Sequence, residues 1–406
     1  MFPLRRAEPM LPDGYGRLRR AIVASHDPGV SMRENLSYCV ILPAFNEARH
    51  LAAVVDRIPA WIDGIVIVDD ASSDDTLRLS QGLADTRVRV LHHDKNLGVG
   101  GAMVTGFRAA LDAGYDVAIK MDADGQMDAG ELATLVRPIE LGMAEYVKGN
   151  RFRQTGRPPS MPRSRWFGNV ALSFLTKVAS GYWHVFDPQC GFVAITAPTL
   201  RRLKLGGIAR DYFFENDMLI RLNVLDARVV DVATAALYGE ETSYVRIGRV
   251  IWSFPRRLAR GFMWRFVKRH IVNDFGLIAL LAVLGAILLV FGFAFGIAEW
   301  VLAASAGRTA TTGSVMIAVL PMILGFQMLL QALSIEVQSS PGAKETRDLS
   351  HSTIPFCGAG PSRGERVMIP DGEVAGRASP GAAPDRGHLG AAADERLPVD
   401  VAPPNP

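Results

Sequence analysis

The chain predicts an α/β fold with a mostly parallel sheet covered on both faces. Two observations carry that reading. Short apolar runs alternate with helical patterns from residue 38 onward, and every run ends in a polar or glycine-bearing cluster. Residues 38–42 form the first expected strand, ending in Pro43-Ala44-Phe45-Asn46-Glu47; a helical pattern follows through Leu51, Val54, Val55 and Ile58. Residues 65–68 are the second, closed by Asp69-Asp70-Ala71-Ser72-Ser73-Asp74-Asp75 before Thr76 opens another helix. Residues 88–92 are the third, and Asn96-Leu97-Gly98-Val99-Gly100-Gly101 leads into a helix through Met103, Phe107 and Leu111. Residues 115–121 are the fourth, running into Asp122-Ala123-Asp124-Gly125-Gln126.

Beyond this domain the composition changes. The 406 residues are 49% hydrophobic with a net charge of only +3, yet residues 246–270 hold eight Arg or Lys and no acid. That stretch also carries Trp252, Phe254, Phe262, Trp264 and Phe266. Cations and aromatics directly before an apolar span suit anionic lipid headgroups rather than nucleic acid. One or two interfacial helices broken near Pro255 are expected; a solvated basic helix packed on the α/β domain is the alternative. Residues 276–298 and 314–335 carry no charge and are each long enough to cross a bilayer at about 1.5 Å per residue. Pro321 is expected to kink the second. Lys268, Arg269 and Lys344 flank the pair, which predicts a multi-pass hairpin in the inner (plasma) membrane with the domain and both termini cytoplasmic. The expected divisions are a lead-in (1–36), the α/β domain (37–240), basic juxtamembrane helices (241–270), two transmembrane helices (271–338) and a disordered polar tail (339–406). Arg5 and Arg6 have no long apolar core behind them, so no signal peptide is expected. Cys39, Cys190 and Cys357 form neither a zinc spacing nor a disulfide framework.

The chemistry concentrates at the strand ends, where open α/β sheets bind ligands. Asp122 and Asp124 repel unless a cation lies between them, and Mg²⁺ or Mn²⁺ bridging substrate phosphates meets that need; a solvated turn is the plain alternative. Asp70 is placed for a nucleobase NH or ribose hydroxyl, or with Asp69 and Ser72 for helix capping. Residues 98–101 lack both the dinucleotide fingerprint and the phosphate-loop Lys-Ser/Thr, which discounts a nicotinamide cofactor and an ATPase. Tyr212-Phe213-Phe214-Glu215-Asn216-Asp217 precedes a helical run and is a further site candidate.

Six ordered pieces give the chain a specific resemblance: VILPAFNE (40–47), VDDASSDDT (68–76), NLGVGGA (96–102), MDADGQ (121–126), GNRF (149–152) and DPQCGF (187–192). Together they resemble family 2 glycosyltransferases of the GT-A fold, in the branch of polyprenyl-phosphate hexose synthases such as the dolichyl-phosphate mannose synthases. The resemblance covers residues 38–240. It implies a nucleoside pocket lined by Pro43, Ala44, Glu47 and Asp70. It also implies Asp122 and Asp124 at the diphosphate and a Mg²⁺ or Mn²⁺ ion, Asp124 as the direct ligand, and Gln126 beside them. Arg151 would contact a donor or acceptor phosphate, and Arg163 and Arg165 would pair with the lipid phosphate. Asp217 would orient a substrate, with Glu215 and Asp211 as further acids. Relatives often carry Arg after the DPxxGF-type motif, where this chain has Val193.

The implied reaction is inverting transfer of a hexose from a UDP- or GDP-linked donor to polyprenyl phosphate. Because a phosphate monoester is largely ionised at pH 7, such an acceptor needs no strong general base. The rivals are a transferase to a glycan or glycolipid hydroxyl, a processive polysaccharide synthase and a non-catalytic membrane scaffold. Two spans and no Gln-x-x-Arg-Trp run count against the synthase. A homo-oligomer is compatible with the sequence.

Overall fold

A computed structural model describes residues 36–152, 163–234 and 247–351. The expected lead-in up to residue 35 and the tail beyond residue 351 lie outside the described residues, as do 153–162 and 235–246.

Seven strands form one sheet: β1 (Tyr38–Ala44), β2 (Gly64–Asp69), β3 (Val88–His92), β4 (Val117–Lys120), β5 (Tyr146–Asn150), β6 (Val193–Thr196) and β7 (Val229–Ala233). Their order is β3-β2-β1-β4-β6-β5-β7. β1, β2, β3 and β4 pair in parallel, as do β5 and β7, while β6 runs antiparallel between β4 and β5. This is the GT-A-type mixed sheet. Alternation along each strand separates two cores. Val40, Leu42, Ile65, Ile67 and Ile119 face one side, and Cys39, Ile41, Val66, Val68 and Ala118 the other. Helices α1 (Leu51–Arg57) and α4 (Leu132–Glu140) cover the first face. Helix α3 (Val99–Asp112) and α7 (Phe214–Val224) cover the second through Met103, Phe107, Phe214, Met218 and Leu222. Helices α2 (Thr76–Gln81), α5 (Arg163–Ser180) and α6 (Ala197–Arg202) complete the domain. The chain leaves β1 toward β2 and β3, then returns to β4 on β1's other side. The C-terminal ends of β1 and β4 therefore form the switch point at which such sheets hold ligands.

Helix α8 (Ile247–Phe266) runs unbroken through Pro255, contrary to the expected break. Phe254 and Leu258 are buried against Phe213, Ile220 and Ala179, so tertiary packing holds the helix across the proline. Its arginines differ from the expected headgroup-facing set. Arg257 pairs with Asp211 at 2.6 Å and Arg265 with Glu336 at 2.5 Å, while Arg269, in the π-helical turn Val267–Asn273, pairs with Asp226 at 2.6 Å. Arg256, Arg260, Met263, Trp264, Val267 and Lys268 remain exposed along one outer face.

Helices α9 (Leu277–Ser305) and α10 (Thr312–Gln338) are long and apolar enough to cross a membrane. Most of their surface is open, with Val290 67% and Trp300 72% exposed, which is unlike core helices of a soluble domain. They meet through Gly285, Gly292 and Gly325, where small residues let the backbones approach. Pro321 lies inside α10 without ending it.

The tail expectation is corrected at its start. Ser340 Oγ donates to Gly181 O at 3.0 Å, and helix α11 (Ala343–His351) packs on the edge strand β7. The segment after the hairpin thus returns to the seven-stranded sheet.

Candidate active site

The loops after β1 and β2 are braced to each other. Asn46 and Ala71 both sit at φ 60°, a left-handed conformation that non-glycine residues adopt only when their surroundings fix it. Asn46 N–H donates to Ser72 Oγ at 3.0 Å, and Ser73 N–H to Asn46 Oδ1 at 2.8 Å. Glu47 N–H donates to Thr76 Oγ1 at 2.9 Å, and Asp70 N–H to Ala44 O at 2.9 Å. Pro43, Ala44, Glu47 and Asp70 thereby occupy one rigid strand-end shelf. Asp70 is itself part of the brace. Its carboxylate accepts from Leu97 N–H at 2.8 Å and Gly98 N–H at 2.7 Å, and His93 Nδ1 lies 2.7 Å away. Gly98 holds φ 80° there, and a Cβ would fall 2.5 Å from Arg210 O.

β4 delivers the carboxylate run beside this shelf, since Met121 N–H donates to Ile41 O at 3.1 Å. Asp122 is not left to repel Asp124 in solvent. Lys120, 1% exposed, places Nζ 2.5 Å from Asp122 Oδ1 and 3.5 Å from Glu215 Oε1. Burial alone would pull this ammonium down; the Asp122 and Glu215 charges outweigh it and hold Lys120 above its ordinary value. Asp124 is half-buried, and its Oδ1 accepts from Gln126 N–H at 3.0 Å. A carboxylate at a half-open strand end is a hard oxygen donor and fits Mg²⁺ or Mn²⁺, which take few protein ligands and fill their shell with phosphate and water. Asp122 Oδ1 faces the Lys120 ammonium, and Asp124 is the residue that the resemblance makes the direct ligand.

The acids of α7 divide by helix geometry. Glu215 and Asp217 are two residues, about 200°, apart on the helix and so lie on opposite faces. Glu215 turns to Lys120. Asp217, the expected substrate-orienting acid, accepts from Ala209 N–H at 2.8 Å and pairs with Arg221 at 2.9 Å. Asp211 pairs with Arg257; burial raises its carboxyl, but the Arg257 bond and charge together with the backbone hydrogen bonds outweigh that and hold it below the ordinary range. Arg151 forms a two-pronged pair with buried Asp187, Nε at 2.8 Å and Nη2 at 3.1 Å. Lys148, fully buried, donates to Cys190 O; burial pulls the Lys148 ammonium down, and the thiol's own burial pushes Cys190 up. Helix α5 contains Arg163 and Arg165, whose side chains lie outside the described residues.

The structure therefore gathers the two predicted aspartates, Gln126 and the β1–β2 shelf at one sheet edge, and turns Asp217 away from the Lys120 group. Sequence reasoning missed Lys120 and Gly191. A lysine closing an apolar strand was a readable signal, because a buried ammonium demands a carboxylate. The glycine in DPQCGF was another: a Cβ at Gly191 would lie 2.3 Å from Lys120 Nζ.

A model of glycosyl transferase family 2 matches residues 39–203. The chain is 32% identical over 224 residues to UDP-N-acetylglucosamine–dolichyl-phosphate N-acetylglucosaminyltransferase of Methanococcus voltae, covering 52% of this chain and 88% of that protein. It is 34% identical over 197 residues to undecaprenyl-phosphate mannosyltransferase of Micrococcus luteus, covering 47% and 80%. Among solved structures, glucosyl-3-phosphoglycerate synthase of Mycobacterium tuberculosis matches with a TM-score of 0.45 at 20% identity, over 59% of this chain and 85% of that one.

Proposed function

The chain belongs to glycosyl transferase family 2, and on that premise we propose that it transfers a hexose from a UDP- or GDP-linked donor to polyprenyl phosphate, with inversion, at the cytoplasmic face of a membrane. The relatives' names supply the acceptor class, and the hairpin gives a reason for a lipid. One observation carries the choice of a phosphate over a hydroxyl acceptor. All three acids between residues 211 and 217 have cationic partners: Asp211 with Arg257, Glu215 with Lys120 and Asp217 with Arg221. A general base for a sugar hydroxyl needs a carboxylate tuned toward neutral pH. Here each of the three carboxylates is instead turned to an ammonium or guanidinium group, so none is placed to take a hydroxyl's proton. A phosphate acceptor makes no such demand, since its second ionisation lies near pH 6.

In this reading the braced shelf of Pro43, Ala44 and Glu47 receives the nucleoside, and Asp70 fixes the 97–98 loop beside it. Asp124 would hold Mg²⁺ or Mn²⁺, which supplies charge stabilisation for the departing nucleoside diphosphate. Gln126 positions the donor's diphosphate, while Asp122 is held by Lys120. Arg151, fixed by Asp187, presents its guanidinium edge to phosphate, and Arg163 and Arg165 receive the acceptor's phosphate. An acceptor phosphate oxygen attacks the anomeric carbon as its bond to the diphosphate oxygen breaks. The electron pair leaves with the nucleoside diphosphate, and a single displacement inverts the centre. The Arg265–Glu336 pair fixes the domain to the hairpin, which keeps the sheet edge near the headgroups where the acceptor's phosphate lies. Both ends of the hairpin meet the domain on one side, consistent with a cytoplasmic domain flanked by Lys268, Arg269 and Lys344. Arg256, Arg260 and Lys268 then face anionic lipids.

The purified protein should be offered UDP- and GDP-hexoses with undecaprenyl phosphate or a hydroxyl-bearing glycolipid, and Mg²⁺ or Mn²⁺. The expected product is a polyprenyl-phosphate hexose, formed at a rate that does not require a base titrating near neutrality. Turnover with the hydroxyl acceptor alone would replace this reading.

A further inference from the structure

We propose that Lys120 is a built-in counter-ion that keeps Asp122 from acting as a metal ligand, so that the strand end binds a divalent cation weakly until a nucleotide's phosphates add oxygen ligands. The inference rests on the reading that Asp124 is the ion's protein ligand. Lys120 Nζ stands 2.5 Å from Asp122 Oδ1 and 3.5 Å from Glu215 Oε1, where a cation shared by those two carboxylates would stand. The side chain is only 1% exposed, so its charge is poorly screened by water. Backbone closes the remaining side: an added Cβ at Gly191 would lie 2.3 Å from Nζ and 2.5 Å from Asp122 Oδ2. The ammonium and the carboxylate are therefore held together by shape as well as by charge.

Two consequences follow from electrostatics alone. A second cation brought to Asp122 meets the Lys120 charge at short range, which opposes binding there. The ion is left to Asp124 and to ligands that arrive with it. Among the described residues, no group of three or more His, Cys, Asp or Glu side chains could hold a metal ion. A site with one protein carboxylate matches the way Mg²⁺ is bound with substrate phosphates rather than in an all-protein cage. The free protein would then release its ion with the nucleoside diphosphate rather than retain it.

The test titrates full-length protein in detergent with Mn²⁺ alone, and then with Mn²⁺ plus UDP or GDP, following the ion's paramagnetic resonance signal. Wild type should bind Mn²⁺ weakly alone and more tightly with nucleotide. Lys120→Met should bind Mn²⁺ alone about tenfold more tightly, and adding Asp122→Asn should remove that gain. With Lys120 in place, Asp122→Asn should leave nucleotide-assisted Mn²⁺ binding within about twofold of wild type, whereas Asp124→Asn should abolish it. The latter pair keeps the proposal testable even if Lys120→Met fails to give a cooperative circular-dichroism melt. Unchanged or weaker Mn²⁺ binding by folded Lys120→Met would overturn it, as would an Asp122→Asn loss equal to that of Asp124→Asn. Wild-type protein that takes up no Mn²⁺ with either nucleotide overturns the Asp124 assignment itself. Failure to glycosylate polyprenyl phosphate, by contrast, would refute the acceptor and leave this titration standing.

Discussion

Two buried cations, each 1% exposed, meet the two ends of α7 and organise their surroundings in different ways. Lys120 sits under the strand-end carboxylates and meets Asp122 and Glu215 with a single ammonium. Arg265 lies where the domain joins the hairpin and uses its whole fork. Nε donates to Ala179 O at 2.8 Å, Nη2 to Val178 O at 3.2 Å and Nη1 to Asn223 Oδ1 at 3.2 Å, and Nη1 also pairs with Glu336 at 2.5 Å. The electrostatic response differs too. Lys120 is held above its ordinary value, whereas burial outweighs the Glu336 pairing and pulls Arg265 below its own. A point charge between carboxylates sets the field of a site. A planar fork joins α8, α5, α7 and α10 by satisfying backbone and side-chain acceptors together.

The junction should show the largest effect on stability. Arg265→Ala leaves Glu336 and several carbonyls without their partner, a change expected to cost about 3–5 kcal/mol. Thermal unfolding in detergent and protease cleavage between the domain and hairpin would register it. Arg265→Lys should recover little, because one ammonium cannot span four acceptors. A full rescue by lysine would erase the distinction drawn between the two cations.

The site should show the reverse profile, a large loss of rate with stability retained. Asp124→Asn is expected to lower single-turnover transfer by about 10²–10³-fold, while its melting temperature stays near wild type. An unfolded Asp124→Asn protein would mean that the site carboxylates, like Arg265, are structural.

The smallest effect concerns the Asp211–Arg257 pair, which joins α8 to the start of α7. Asp211 is held below the ordinary carboxylate range. Its contribution to stability is thus present above about pH 4 and is lost as pH falls through the depressed value. The Asp211 side chain is 59% exposed, so screening keeps the contribution small. Arg257→Ala should lower stability slightly on the neutral side, where the pair contributes and packs on Phe213, and approach wild type at acid pH, so that the acid limb becomes slightly shallower. A steeper acid limb in that variant would contradict the pairing.

Much of the α/β half was legible because its signals are local. The apolar runs of β1 to β4 and their polar ends follow from strands covered on both faces, and the two apolar helices follow from uninterrupted length without charge. β5 was harder to read because Lys148 interrupts it, and β6 because a four-residue strand carries little period and no mark of its antiparallel direction. The course of α8 through Pro255 was hidden because packing on Phe213 and Ile220, not propensity, decides it. The same holds for α11, whose neighbour β7 is distant in sequence.

By itself, the order of residues determined where carboxylates meet strand ends, which segments are apolar enough to leave water, and to which family the chain belongs. Only the tertiary structure decided which charge answers which. Glu215 reaches Lys120 while Asp217 turns to Arg221, and Arg265 meets Glu336 rather than solvent. The reason is physical: hydrophobic periodicity is written in neighbouring residues, whereas the partner of a buried charge is chosen by desolvation among groups that only folding brings together.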